Sequence, residues 1–449
     1  MGGNRWWMLV LGVSLGLGCG GDDSGDDPVV DMAVPVDSGE VGVDGFVPTD
    51  AGPAEPTVLL PRLAIEPSEL GVLVNDDDPL SVAVAEAYVA ARGIPEANVV
   101  HLTLPVGENV LSRDAFATAE TATEDALPEG IEALALTWTQ PFRVDCMSIT
   151  SAFALGFDEM YCNTVGGCAT TAPVDYYGSA STRPVEDHGL RPTMMIAATS
   201  AEGGEALIDR GVAADATFPT GDGYLVNTTD GARTVRAPTY PGVVSEWEGA
   251  LSFTYVDNGD GSGSNVVTDT SDILFYFTGL ARVADIDTNT YLPGAIADHL
   301  TSFGGRVPTS GQMSIMEWLD AGATGSYGTV VEPCNYQQKF PSVPIVIDSY
   351  FHGATLVEAY WKSVRWPGEG LFVGEPLARP YGEQTVTIGA DDITIETNAV
   401  RPGETWEVQT AESMDGPWTT QMEVTTDEHA RMAIVAPRTG AAFVRLEKL

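Results

Sequence analysis

The sequence predicts an α/β protein whose mostly parallel sheet is covered by helices on both faces, followed by a small C-terminal antiparallel β-sandwich. Three observations lead there. Uncharged apolar runs such as ILFYF at 273–277 recur along residues 58–381, and strands buried on both faces of a parallel sheet read this way. Helix-patterned stretches fall between several of those runs, the alternation that builds covered parallel sheets. Beyond Tyr381 the pattern changes to short segments alternating apolar with polar residues, among them QTVTIG, DITIET, TWEVQTA and RMAIVA, as expected of strands with one buried face.

The first residues, MGGNRWWMLVLGVSLGLGCGGDD, hold an apolar run from Trp6 to Leu17. It is too short to span a bilayer and reads as an export signal. Leu15-Gly16-Leu17-Gly18-Cys19 resembles a bacterial lipobox with its branched residue one place early. That resemblance implies a lipidated Cys19 as first mature residue, and so a lipoprotein at the outer membrane or cell surface; an ordinary signal peptide with an incidental Cys is the alternative. Residues 20–57 carry ten acidic residues and neither Lys nor Arg. A segment of that composition repels itself and is expected to stay extended as a tether.

Residues 58–381 form the predicted α/β domain. LGVLVNDDDPLSVAVAEAYVAARGIPEANVVHL gives strand (70–74), polar turn, helix (82–91) and strand (98–102), with Pro79 where a first helical turn tolerates it. Further strands are expected at 131–138, 193–199, 273–277, 326–331 and 371–374, and helices near 202–214, 293–300, 312–320 and 354–364. Residues 144–190 and 215–270 interrupt the alternation and are expected to be long loops. Within the second, VDNGDG (256–261) places Asn258, Asp260 and Gly261 like an EF-hand but has Val256 and Val267 at the anchoring positions, so it reads as a surface turn. Residues 382–449 are the sandwich, and TWEVQTAESMDGPW resembles fibronectin type III-like modules, with Trp406 and Trp418 expected in its core.

Sixty-four acidic residues against 21 basic ones give a formal charge of −43. That excludes a nucleic-acid-binding face, which needs clustered Lys and Arg. Cys146, Cys162, Cys168 and Cys334 remain after Cys19, and in an exported protein they are expected to form disulfides, with three pairings open. No zinc spacing is present and no metal site is predicted. No Walker loop, dinucleotide GxGxxG, GxSxG elbow or HExxH occurs, so no cofactor is predicted. Asp76, Asp77 and Asp78 either cap the following helix or bind a cation, capping being the commoner role.

DILFYFTGLARV, LPGAIADHLTSFGG, GATGSYGTVVEP, HGATLVEAYWKSV and GLFVGEPLARPY together resemble a family of exported bacterial proteins distantly similar to gingipain-type, caspase-like cysteine peptidases. The resemblance implies a caspase-like sheet and no established activity. In those peptidases one strand end delivers a His-Gly pair and the next delivers the Cys nucleophile, so that imidazole activates thiol. The corresponding positions here are Thr278-Gly279 and Thr301-Ser302, where both essential side chains are missing. His352-Gly353 and His188-Gly189 fit the required order or setting poorly. His299 and Ser302, three apart at an expected helix end, are the sharpest enzymatic pair, with Glu332 assisting; capping or backbone hydrogen bonding is the bland alternative.

Arg143 and Arg282 follow two strand ends and, with Thr278, are the candidate ligand-binding residues of a crevice recognising carboxylates or sugar acids. Ion pairing, with Glu332 among others, is their alternative role. Tyr360, Trp361 and Trp366 would stack on sugar if exposed and are otherwise packing residues. The expected function is a catalytically degenerate scaffold that binds an envelope ligand or partner. A Ser302–His299 hydrolase and a carbohydrate-binding protein are the other two readings.

Overall fold

Burial on both faces builds the centre of the molecule. In the computed structural model, which describes residues 55–164 and 167–449, every residue of Ile273–Thr278 is buried, as are all those of Leu70–Asn75, Ala133–Leu136 and Gly370–Gly374. Fully burying Phe275 or Phe277 is worth about 1.5–3 kcal/mol each. The architecture is mixed α/β around one ten-stranded sheet.

Its strands are β1 (Leu70–Asn75), β2 (Val99–Leu102), β3 (Ala133–Leu136), β4 (Thr193–Met195), β5 (Asp222–Asn227), β6 (Ser252–Asp257), β7 (Ile273–Thr278), β8 (Tyr291–His299), β9 (Gly325–Thr329) and β10 (Gly370–Gly374). They lie in the order β6-β5-β7-β8-β9-β10-β4-β3-β1-β2. Every neighbouring pair is parallel except β9–β10. The sheet is therefore two parallel halves running in opposite directions, and their carboxyl ends face opposite edges. Strand ends from β7, β8 and β9 share one edge, while the end of β3 lies on the other.

Helix α1 (Pro79–Arg92) shows how local sequence fixes an element. Asp78 caps it by accepting the Leu80 amide at 3.0 Å, and Gly93 ends it at φ 63°, a conformation that favours glycine. Val84, Ala85 and Tyr88 are its buried face. Asp76 instead meets the His101 imidazole at 2.6 Å.

Two expectations are corrected. The stretch 293–300, expected helical, is most of strand β8; Pro293 and Gly294 precede a run in which Ala295, Ile296 and Ala297 are all buried, and β7 and β9 bracket it on both sides. Tertiary pairing overrides the helical propensity of its alanines. Residues 215–270, expected as a loop, supply β5 and β6, hidden in sequence because GYLVN and FTYV are short runs amid Gly, Thr and Asp. VDNGDG is a turn, with the Gly261 amide bonded to the Asn258 carbonyl at 3.0 Å.

The C-terminal residues form two sheets. Thr385–Ile388, Asp392–Thr397 and Met432–Pro437 make one, and Thr405–Ala411, Thr419–Thr425 and Phe443–Lys448 belong to the other. Ile393, Ile395, Trp406, Val408, Val424, Ile434 and Leu446 share one apolar cluster between them. Trp418 lies outside that cluster, with the Arg445 guanidinium 4.3 Å above its ring. Thr57–Leu59 pairs in parallel with Phe443–Arg445, so the chain passes through this sheet before entering β1.

Disulfides join Cys146 to Cys162 and Cys168 to Cys334, each with Cα atoms 5.6 Å apart. No described helix is long and apolar enough to cross a membrane. Cys19, the export signal and all but the last residues of the tether lie outside the described residues.

Candidate functional site at the carboxyl edge of the central strands

Strand β7 ends at Thr278, paired with His299 at the end of β8. Gly279 comes next, and a Cβ there would stand 2.0 Å from the Arg233 carbonyl oxygen. Only glycine lets the segment after β5 cross so closely, and the Thr228 hydroxyl fastens the crossing by donating to the Gly279 carbonyl at 2.7 Å. The crossing segment delivers two arginines. Arg233 Nε donates to Thr301 Oγ1 at 3.0 Å while its Nη1 contacts Asp230 at 2.8 Å. Arg236 Nη2 donates to the Thr278 carbonyl at 2.8 Å and to Asp298 Oδ1 at 2.5 Å, and this ion pair is buried.

Thr278 is buried and its hydroxyl has no hydrogen-bond partner among the described residues. Thr301 is also buried and donates to Gln312 Oε1. Of Thr278-Gly279 and Thr301-Ser302, both threonines are thus enclosed, whereas Ser302 is half-buried.

His299 and Ser302 do not pair. His299 ends a strand, not a helix, and its Nδ1 accepts from Trp318 Nε1 at 2.9 Å while Nε2 bonds to no side chain. Ser302 Oγ donates to Glu332 Oε1 at 3.0 Å, an oxygen that also accepts the Cys334 amide at 2.8 Å. The structure therefore brings Ser302 and Glu332 together and leaves His299 in the core. Burial pushes that imidazole down to about 3; the Arg236, Arg282 and Arg233 charges add to the shift and the Met313 backbone opposes it.

A consequence for stability follows from the sign of this shift. Above pH ~6.5, the value of a free imidazole, His299 is neutral in both states. As pH falls from there towards 3 the unfolded chain takes the proton first, so His299 steepens the loss of stability by up to about 1.4 kcal/mol per pH unit. His299→Gln keeps an acceptor for Trp318 and cannot titrate. Urea unfolding of both proteins between pH 7.5 and 4.5 is expected to show the flatter profile in the variant.

The candidate ligand-binding arginines separate. Arg282 is exposed and paired with Glu317 at 2.7 Å, its other nitrogen donating to the Gln312 carbonyl. Arg143 follows β3, whose end lies on the far edge, but the chain then pairs it with Ser148, whose hydroxyl donates to the Gly370 carbonyl opposite Thr329 at the end of β9. Burial first, then Arg306, lowers the Arg143 pKa. Arg143 donates to the Asp145 carbonyl, while the Asp145 carboxylate is held by Arg113 at 2.5 Å. Arg306 Nε donates to the Val330 carbonyl at 3.1 Å, just past β9, and its guanidinium covers Phe303 at 4.0 Å. Among the described residues neither has a carboxylate within salt-bridge distance.

Arg306 was not singled out by sequence; it follows SFGG by one place and precedes Val-Pro, with no strand end to flag it. Arg233 and Arg236 were missed because β5 was. Tyr360 and Trp361 are fully buried and offer no face to a sugar, and Trp366 packs edge-on against Tyr336. His188 bonds Ser179 at 2.9 Å on a short helix.

No family model matches the chain, and no curated protein matches it. A solved structure described as "Structure of Protease" is similar at 11% identity, covering 86% of this chain and 98% of its own, with a TM-score of 0.43. A likeness of that degree assigns neither a family nor any residue role.

Proposed function

We propose that the protein is a lipid-anchored envelope scaffold, held to the membrane through Cys19, with a catalytically degenerate caspase-like domain and a fibronectin-like C-terminal sandwich. Its binding surface is the carboxyl edge of β7–β9. One observation carries the loss of catalysis: the imidazole of His299 at that edge is buried on Trp318, and the nearby Ser302 hydroxyl gives its hydrogen bond to Glu332. The ligand is anionic. In a chain this acidic, neither Arg143 nor Arg306 has a carboxylate within salt-bridge distance among the described residues, and the Arg306 charge acts on Arg143; guanidinium forks suit a carboxylate.

A hydrolase reading survives only with Glu332 in place of His299 as the base for Ser302, which their 3.0 Å hydrogen bond favours. The two readings separate in one experiment. Incubation with a fluorophosphonate probe is expected to leave the protein unlabelled, and labelling abolished by Ser302→Ala would establish the hydrolase instead. Thermal-shift measurements with glutamate, citrate and galacturonate are expected to raise the Tm of the wild type with at least one of them. Arg143→Ala/Arg306→Ala is expected to remove that rise.

A further inference from the structure

The helix Val343–Phe351 and the turn between Thr419–Thr425 and Met432–Pro437 meet through His352 and His429. Asp348 on this helix and His352, which caps it, are four apart and share a face. His429 comes from the turn, 77 residues beyond His352. One ligand atom from each of the three lies within 4.8 Å of the others. His352 Nε2 is 2.9 Å from His429 Nδ1 and 3.5 Å from Asp348 Oδ1. Both histidines are buried, and Trp247 stacks on His429 with ring centres 3.8 Å apart.

We infer that Asp348, His352 and His429 bind a divalent transition-metal ion of the zinc class, which fastens the C-terminal strands to the helix Val343–Phe351.

Each ligand already has the outer partner such sites use to fix ring orientation and tautomer. His352 Nδ1 hydrogen-bonds the Asn398 carbonyl. A carbonyl only accepts, so the proton sits on Nδ1 and the Nε2 lone pair points inward. Asp348 Oδ2 accepts from Arg401 Nε at 3.0 Å, which leaves Oδ1 for the ion. Behind His429, its Nε2 stands 3.6 Å from Glu246 Oε1.

Proton bookkeeping at His429 points the same way. Without a cation, His429 must donate from Nδ1 to the His352 lone pair, and its own Nε2 lone pair then faces the Glu246 carboxylate. Two acceptors face one another there. A cation between Nε2 of His352 and Nδ1 of His429 moves the His429 proton to Nε2, where Glu246 accepts it. Each ring nitrogen of the two histidines then has a partner. A second proton on His429 would serve the same contacts, and metal titration distinguishes the two.

Two imidazole nitrogens and one carboxylate oxygen suit zinc-class ions better than calcium or magnesium, which prefer all-oxygen shells. Nitrogen ligands at zinc distance and tetrahedral angle are about 3.4 Å apart, so the two rings need to separate only slightly. The Asp348 and Glu246 carboxylates face the group together with the Arg401 guanidinium. A cleft of about 340 Å³ lined by Glu246, Asp348, Ser349, Arg401 and Glu404 opens on the Asp348 side of the group, and a water from it would be the fourth ligand.

The test uses full-length protein stripped of metal by a chelator, titrated with Zn²⁺ in equilibrium dialysis and with Co²⁺ by visible absorption. About one zinc per chain and the absorption bands of four-coordinate cobalt are expected. His352→Ala and His429→Ala are each expected to weaken zinc binding by about tenfold or more. Glu246→Gln, at a half-exposed side chain where folding is not at stake, is expected to weaken it about 10- to 100-fold. No stoichiometric zinc on the wild type, or equal affinity in wild type and Glu246→Gln, overturns the inference.

Discussion

Removing the Cys168–Cys334 disulfide by replacing both residues with alanine is expected to cost about 5 kcal/mol, against about 3 kcal/mol for Cys146–Cys162. The bridges close loops of 166 and 16 residues, and the entropy a cross-link removes from the unfolded chain grows with the logarithm of loop length. The longer bridge has a second, local effect. Cys334 has a positive φ of 55°, a conformation uncommon for a residue other than glycine, and its amide holds the Glu332 carboxylate that accepts from Ser302. Freeing Cys334 therefore loosens the candidate site as well as the chain. Urea unfolding without reductant, compared among wild type and the two double-alanine variants, measures both costs. Equal losses from the two bridges would show that native-state strain or residual unfolded structure, not loop closure, sets their contribution.

Which parts of this arrangement the sequence discloses depends on how local their cause is. Helix α1 is readable because Asp78, Pro79 and Gly93 each act within one turn of where they stand. The run Ile273–Phe277 is readable because burial on both faces leaves it wholly apolar and aromatic. Strand β8 is not: LPGAIADH has residues that suit a helix, and only its neighbours on each side make it a strand. Once β8 is misread, His299 and Ser302 fall on one imagined helical face, and the pair looks catalytic. The reversal of direction between β9 and β10 is set by which strands pair, so the sequence could not show that β3 and β7 end on opposite edges. The disulfides and the Asp348–His352–His429 group have the same character. Cys168 finds its partner 166 residues away and His352 meets His429 across 77, separations at which spacing rules for metals and cystines say nothing.

Asp298→Ala is expected to destabilise the protein by about 3–5 kcal/mol, because it strands a buried guanidinium. Arg236 and Asp298 have side chains 4% and 2% exposed, so neither can turn to water when its partner is lost. Arg236 also holds the Thr278 carbonyl at 2.8 Å and thereby ties the segment after β5 to the ends of both β7 and β8. The pair is not ideally served: Arg236 Nε and Asp298 Oδ2 have no hydrogen-bond partner among the described residues. Desolvation that is only partly repaid makes the intact pair a weak source of stability, although breaking it is expensive. Replacing both partners, Arg236→Met with Asp298→Leu, is accordingly expected to recover most of the loss. Arg236 lines a cavity of about 140 Å³ with Tyr177, Gln337 and Arg365, so the same double variant reports on function. If the pair serves only to pin the strand ends, anion binding at Arg143 and Arg306 should return together with stability in denaturant and thermal-shift measurements. Recovery of stability with permanent loss of binding would instead make Arg236 part of the ligand site.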